Sequence, residues 1–216
     1  MSHLKSFFVP KSWTLKKKER VFVVRPRPGA HPTELSVTFS HMIRTLGFAS
    51  TVREIKQIMK SDGIVVNGKV IHDYKLPVGF LDIVEFKPLG KTFRVLLDNK
   101  GHLNYVDCAD AKITVAKVIG KSVLKSGKIQ LNLSGGRNIL SDLECNVGDS
   151  ISLSEGKPQK VLKLEKGAKI YLVQGRHAGS DGVVQDISNN MIWFKHGEEV
   201  LETLKDYAYV IGDLKL

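Results

Sequence analysis

Residues 51–69, TVREIKQIMKSDGIVVNGK, carry the reading from which the rest of the chain follows. Taken as a helix from Thr51 to Lys60, the stretch places Val52, Ile55, Ile58 and Met59 on one stripe at three- and four-residue spacing, a face that must be buried. Arg53, Lys56, Gln57 and Lys60 recur at the same spacing on the opposite stripe. Thr51 is placed to cap the helix, and Glu54 three residues on completes a capping box. Asn67-Gly68 after GIVV is the strongest short hairpin signal, because both central positions of that turn need positive φ. Lys69 follows at the tip.

Working outward, Leu35, Phe39, Met42, Ile43 and Leu46 repeat with helical spacing until Gly47, so a first helix is expected back to back with the second. Downstream, GIVVNGKVIHD reads as the hairpin and LPVGFLDIVEF as a returning strand, with Gly79 and Asp82 marking the turn before it. Residues 1–33 are basic and punctuated by Pro26, Pro28 and Pro32, which keep them out of helices and sheet ladders. Lys16, Lys17, Lys18, Arg25 and Arg27 there surround Trp13 and VFVV, too apolar for a purely solvated tail. An arm that orders on RNA or on a neighbouring protein is expected.

Charge narrows the partner. Lys and Arg number 33 against 22 Asp and Glu, a formal +11, and 42% hydrophobic with 25% charged is globular composition. Residues 1–90 hold 15 Lys/Arg against 7 Asp/Glu and residues 91–216 hold 18 against 15, so the cationic footprint is N-terminal. A polyanion is implied, and nucleic acid is preferred to a membrane, because no apolar run is long enough to span a bilayer. The first residues lack the apolar core and cleavage site of a secretory signal, so an intracellular protein is expected. Cys108 and Cys145 stand far apart with no metal-ligand spacing; reduced structural thiols and no metal are expected.

After residue 90, short strand runs alternate with turns in KTFRVLLDNKGHLNYVD, KITVAKVIGKSVLKSGKIQLNLSGGRNIL and NVGDSISLS, which indicates a small antiparallel barrel or sandwich. Gly135-Gly136-Arg137-Asn138 reads as a hairpin turn and not as a phosphate loop, since no helix and no Lys-Ser/Thr follows. Farther on, GAKIYLVQGRHAGSDGVVQDI runs a strand into a loop bearing Gly175 and Gly179 and out again through Gly182.

These strings resemble known modules. TVREIKQIMKSDGIVVNGKVIHDYKLPVGFLDIVEF is similar to the S-four RNA-binding module, which presents a basic helix face and a hairpin tip to structured RNA. That resemblance implies phosphate contacts from Arg53, Lys56 and Lys60, joined by Arg44 and Gln57, and close backbone approach at Asn67, Gly68 and Lys69. The GRHAGSDG region resembles the KOW motif, with Arg176 and His177 exposed at its loop. The order of modules, with RPRPGAHP, HDYKLPVGFLDIV, GRNI and GRHAG, resembles the archaeal type of the small-subunit ribosomal protein S-four-e family over nearly the full chain. An arm poorer in basic residues than the family pattern and the acidic HGEE near the end are departures from it.

The fold class expected is α+β: a helix-pair-plus-hairpin RNA-binding module followed by two mostly antiparallel, small barrel-like β modules. The divisions are 1–33 arm, 34–88 S-four-like module, 89–165 central β module and 166–216 KOW-containing module. The resemblance implies small-subunit rRNA and neighbouring ribosomal proteins as partners, with no cofactor, membrane or small-molecule substrate. S-four modules also serve as RNA-docking appendages of pseudouridine synthases and tyrosyl-tRNA synthetases, but no catalytic domain of either kind is recognisable after residue 90. The seven histidines are scattered, and Glu198, Glu199 and Glu202 read as carboxylates that solubilise a strand edge. No enzyme is expected. A free RNA-binding regulator with a KOW module is the alternative.

Overall fold

The computed structural model describes residues 3–60, 63–108, 113–125, 127–141, 143–154, 156–212 and 214. The chain divides into two compact units, Met1–Leu96 with His102–Ala111, and Leu97–Gly101 with Lys112–Leu216.

Against the expectation that residues 1–33 stay out of sheet ladders, the first unit opens with a short antiparallel pair, β1 (Leu4–Lys5) and β2 (Phe22–Val23), both of which lie ahead of Pro26, Pro28 and Pro32. It continues through β3 (Ser36–Thr38), α1 (Phe39–Thr45), α2 (Val52–Met59), β4 (Ile64–Val66), β5 (Lys69–Val70), β6 (Pro77–Gly79), β7 (Ile83–Phe86), β8 (Lys91–Leu97) and β9 (Leu103–Asp107). One sheet runs β5-β4-β7-β8-β9, and β3 pairs separately with β6. Thr51 caps α2 as its sequence implies: its hydroxyl accepts from the Glu54 N–H, and the Glu54 carboxylate accepts in return from the Thr51 N–H. Ile55 and Met59 are buried beneath α2, whereas Val52 and Ile58 are half-buried at the margins of its stripe. Together with Phe39, Met42, Ile43, Ile64 and Val84 they build the core, and Phe86 joins the rings of Phe39, Phe48 and Phe93 at centroid distances of 6.1, 5.2 and 5.7 Å.

Three sequence expectations change here. The first helix begins at Phe39 and not at Leu35, because Ser36–Thr38 is drawn into antiparallel pairing with Pro77–Gly79 and Thr38 then caps α1 from extended backbone. LPVGFLDIVEF is accordingly two strands: β6 serves β3 and β7 serves β4, with a turn between them closed by the Gly79 N–H donating to the Asp82 carboxylate at 2.8 Å. Finally, β8 and β9, read from sequence as part of the central β module, extend the sheet of the first unit, since Ile83–Phe86 pairs residue for residue with Lys91–Arg94.

The arm is fastened to this unit by side chains. Trp13 is 4% exposed, its indole N–H donates to the Ser36 carbonyl at 2.8 Å, and its ring stacks on His41. Farther along, two glycines provide reciprocal close approaches. A Cβ on Gly29 would lie 2.4 Å from the Pro77 ring, and one on Gly79 would lie 2.3 Å from the His31 ring. His31 is held there by the Asp82 carboxylate at 2.9 Å. The RPRPGAHP and LPVGFLD strings are thus two halves of one contact.

The second unit contains two antiparallel sheets. β10 (Ile113–Val123), β11 (Ile129–Leu133), β12 (Arg137–Leu140), β13 (Ser150–Ser154) and β14 (Lys157–Leu162) form one in the order β12-β11-β10-β13-β14. A bulge between Val118 and Gly120 lets one long strand pair with β13 through its first half and with β11 through its second. Gly135 and Gly136, both at positive φ, make the hairpin turn expected at GGRN. β15 (Lys169–Leu172), β16 (Asp181–Ser188), β17 (Met191–His196), β18 (Glu199–Leu204) and β19 (Ala208–Val210) form the other, in the order β18-β17-β16-β15-β19. Each sheet has its own apolar cluster, around Val118, Leu131 and Ile151 in the first and around Ile170, Leu172, Ile192 and Phe194 in the second. Cys145 belongs to the first cluster, and neither Cys108 nor Cys145 is in a disulfide.

Candidate RNA interface

Because α2 buries Ile55 and Met59, its helical period turns Arg53, Lys56, Gln57 and Lys60 outward, and all four are exposed. Among the described residues, no carboxylate forms an ion pair with Arg53, Lys56 or Lys60. Lys56 has an aromatic neighbour instead: its ammonium lies 5.1 Å from the Tyr74 ring centroid, and Lys75 approaches the same ring at 5.7 Å. The arm meets this cluster from the other side, where the Arg27 N–H donates to the Lys75 carbonyl at 3.1 Å and the Arg27 guanidinium pairs with Asp73 at 3.0 Å. A cationic strip therefore runs from α2 through Tyr74 and Lys75 to Arg27. Sequence reasoning missed Tyr74 and Lys75; the available signal was the Tyr-Lys dipeptide directly after the hairpin, an aromatic and a cation in a loop.

At the hairpin tip, Asn67 has φ 50° and Gly68 φ 80°, the left-handed pair that the Asn-Gly signal demands. The Asn67 side chain is used within the fold: its amide donates to the Asp82 carboxylate at 2.6 Å, and its carbonyl oxygen accepts from the Ile83 N–H at 3.1 Å. Its part is to shape the turn, and the tip offers a partner the exposed Gly68 backbone and the Lys69 ammonium.

The other sequence candidates fall elsewhere. Lys16, Lys17, Lys18 and Arg25 are exposed along the arm, with Lys17 5.8 Å from the Phe7 ring centroid. Arg44 is half-buried at the end of α1 and lines a cleft with arm residues, rather than sharing the outward stripe of α2. In the second unit Arg176 is exposed, but His177 is half-buried, its ring edge-on to Phe194 at 6.4 Å. The glycines of that loop have separate reasons: Gly175 and Gly179 adopt φ 91° and 84°, while a Cβ on Gly182 would strike the Lys195 carbonyl at 2.6 Å. Among the described residues no cluster of three His, Cys, Asp or Glu could hold a metal, and no helix is long and apolar enough to cross a membrane.

A capped helix with an exposed cationic face, a left-handed hairpin tip and a sheet that buries the opposite side define an RNA-binding protein built on an S-four module. Comparison with known families agrees: residues 42–84 match the S4 domain, residues 2–34 the RS4NT (NUC023) domain, and residues 89–161 the ribosomal family S4e. The chain is 35% identical to the small ribosomal subunit protein eS4 of Methanosphaera stadtmanae, covering 99% of this chain and 93% of the relative. It is 36% identical to that of Methanothermobacter thermautotrophicus, covering 97% and 92%. The crystal structure of the 30S ribosomal protein S4e from Thermoplasma acidophilum superposes with a TM-score of 0.71 at 29% identity, covering 82% of this chain and 95% of that one. The chain belongs to the S4e family of small-subunit ribosomal proteins.

Proposed function

We propose that this chain is a non-catalytic structural component of the small ribosomal subunit, held on rRNA chiefly by the outward face of α2, the Lys69 tip and the arm cations. The observation that carries the reading is the run of exposed cations at Arg53, Lys56 and Lys60, without a carboxylate partner among the described residues, in a chain whose family likeness extends over nearly its whole length. A preformed helix face meets phosphates without the ordering cost of an unfolded basic peptide, and each cation that neutralises a phosphate releases counterions. Arg176 and the rest of the glycine loop would add a smaller contact from the second unit. The working divisions of the chain are the arm, the S-four module and the two β modules, and its place of work is the cytoplasmic ribosome.

Sedimentation tests the assignment. The protein, tagged in its own cells, is expected to travel with the small subunit through a sucrose gradient and to stay there after a moderate salt wash. Recovery mainly in the soluble fraction would favour a free RNA-binding regulator instead.

A further inference from the structure

A cationic cluster separate from the α2 face shares only Lys16 with the cations used by that reading. A cleft of about 480 Å³ opens in the first unit between residues 13–24 and α1, and it gathers Lys16, Arg20 and Arg44. Leu15, Val23 and Val24, each half-buried, supply an apolar wall. Beneath the cleft, the Arg44 Nε and the Ser40 hydroxyl are sealed from solvent without a hydrogen-bond partner among the described residues. Among the described residues no carboxylate pairs with Arg44, Arg20 or Lys16; Glu19, also in the lining, makes no such contact. Burial and the like charge of Arg20 both press the Arg44 pKa downward.

A partly dry guanidinium facing a second one is an unfavourable arrangement unless a counter-charge arrives. Among the described residues no carboxylate, Glu19 of the lining included, pairs with it, so an external anion is the missing member. Planar guanidinium groups suit phosphate, which they can grip with two parallel hydrogen bonds. Volume then separates a bare anion from something larger: the cleft falls within the roughly 300–1,000 Å³ of small-molecule sites, and its apolar wall has no use for phosphate alone. Proteins hold extruded nucleotides in this manner, with the base between aromatic or apolar side chains and the backbone on cations. We infer that this cleft takes one unpaired nucleotide of rRNA, its phosphate between Arg44, Arg20 and Lys16 and its base against Leu15, Val23 and Val24. The inference rests on the ribosomal reading but uses a different face of the unit.

The test compares two labelled probes on the full chain, a short oligouridine and a blunt RNA duplex. Arg44→Gln is expected to weaken oligouridine binding by about tenfold or more, the loss typical of one charge-assisted hydrogen-bonded contact, and to leave duplex binding within about twofold. Arg44→Lys, which keeps the charge without the planar fork, is expected to fall between wild type and Arg44→Gln. Uridine monophosphate should displace oligouridine at lower concentration than inorganic phosphate does. Equal losses on both probes, or no loss on oligouridine at an unchanged melting temperature, would overturn the site. Displacement by inorganic phosphate as effective as by the nucleotide would overturn the base contact and with it the nucleotide assignment. Replacing Arg53, Lys56 and Lys60 with Gln serves as the parallel measurement. If that variant loses rRNA while Arg44→Gln leaves oligouridine unchanged, the cleft fails and the α2 interface stands; if it keeps full rRNA affinity, the α2 interface fails on its own.

Discussion

Lys117 in the second unit and Arg44 in the first are both cations drawn below the surface, and the protein treats them differently. Lys117 is 7% exposed, yet its ammonium donates to the carbonyls of Lys205 at 3.0 Å and Asp206 at 2.8 Å and lies 5.4 Å from the Tyr209 ring centroid. It acts as an internal strut, tying β10 to the turn that leads into β19. Arg44 has a sealed Nε with no acceptor and a like-charged neighbour. Surface cations differ in the same way within and between the units: Lys166 pairs with Asp186 at 2.8 Å in the second and Arg27 with Asp73 at 3.0 Å in the first, whereas Arg53, Lys60 and Lys69 have no carboxylate partner among the described residues. A positive charge satisfied by the fold is architecture; one left unsatisfied on a preformed surface is an invitation to an anion.

The largest expected effect tests whether the arm is part of the first unit. Trp13→Ala removes a buried ring, its hydrogen bond to Ser36 and its stack on His41, and should destabilise that unit by about 3–5 kcal/mol. Denaturant unfolding followed by Trp193 fluorescence should show the second unit unaffected. If the first unit keeps its stability, the arm is an appendage after all.

Lys117 gives a pH test of the strut. Burial, the leading cause, lowers its pKa to about 8 from an ordinary 10.5, with Asp206 opposing and Lys205 reinforcing the shift. Between these values the unfolded chain holds a proton that the folded chain has shed, so stability rises with pH, by roughly 2–3 kcal/mol from pH 8 to pH 10. Lys117→Met should abolish this rise; its persistence in the variant would locate the titrating group elsewhere.

Replacing Arg53, Lys56 and Lys60 with Gln leaves the buried stripe of α2 intact, so the melting temperature should hold while the log–log salt slope of rRNA binding falls by about 2–3. The same substitution at Lys157, Lys160 and Lys163 should have a far smaller effect on binding. Equal losses from the two triples would erase the distinction between a displayed and a merely solvated charge.

His41 sharpens the comparison at the smallest scale. Desolvation lowers its pKa, Arg44 adds to the lowering, and the Thr14 backbone opposes it. The folded state therefore prefers neutral imidazole. Stability is complete above the ordinary value of 6.5 and is lost as pH falls through the depressed folded value. Acidification should loosen the Trp13 docking, seen as a modest rise in amide exchange around residues 13–15, and His41→Gln should remove the pH dependence.

Much of the candidate RNA interface was legible in the chain. The α2 stripe could be read because burial of one helical face dictates the exposure of the other, and the Asn67-Gly68 turn because few residue pairs tolerate two left-handed conformations. Reading failed where partners lie far away in sequence. Ser36–Thr38 looked helical until its pairing with Pro77–Gly79 was known, and β8–β9 looked like the start of a new module until the sheet claimed them. A fragment ending at residue 90 therefore loses two strands of the first unit, and one meant to preserve it has to retain β9. Arg44, joined to the α2 cations only by the family resemblance, lines a cleft with the arm.

By itself the sequence determined the local elements of this protein, namely the capped α2, the hairpin turn, the glycine loop and the N-terminal excess of charge, because these depend on side-chain chemistry within a few residues. Only the tertiary structure decided which cations are spent inside the fold and which remain for a ligand. Whether a lysine or arginine is satisfied depends on acceptors brought from dozens of residues away: Lys117 finds two carbonyls 88 and 89 positions later, and Arg44 feels the like charge of Arg20 with no ion-pair partner among the described residues. Such distant juxtapositions arise from packing, to which no short run of sequence has access.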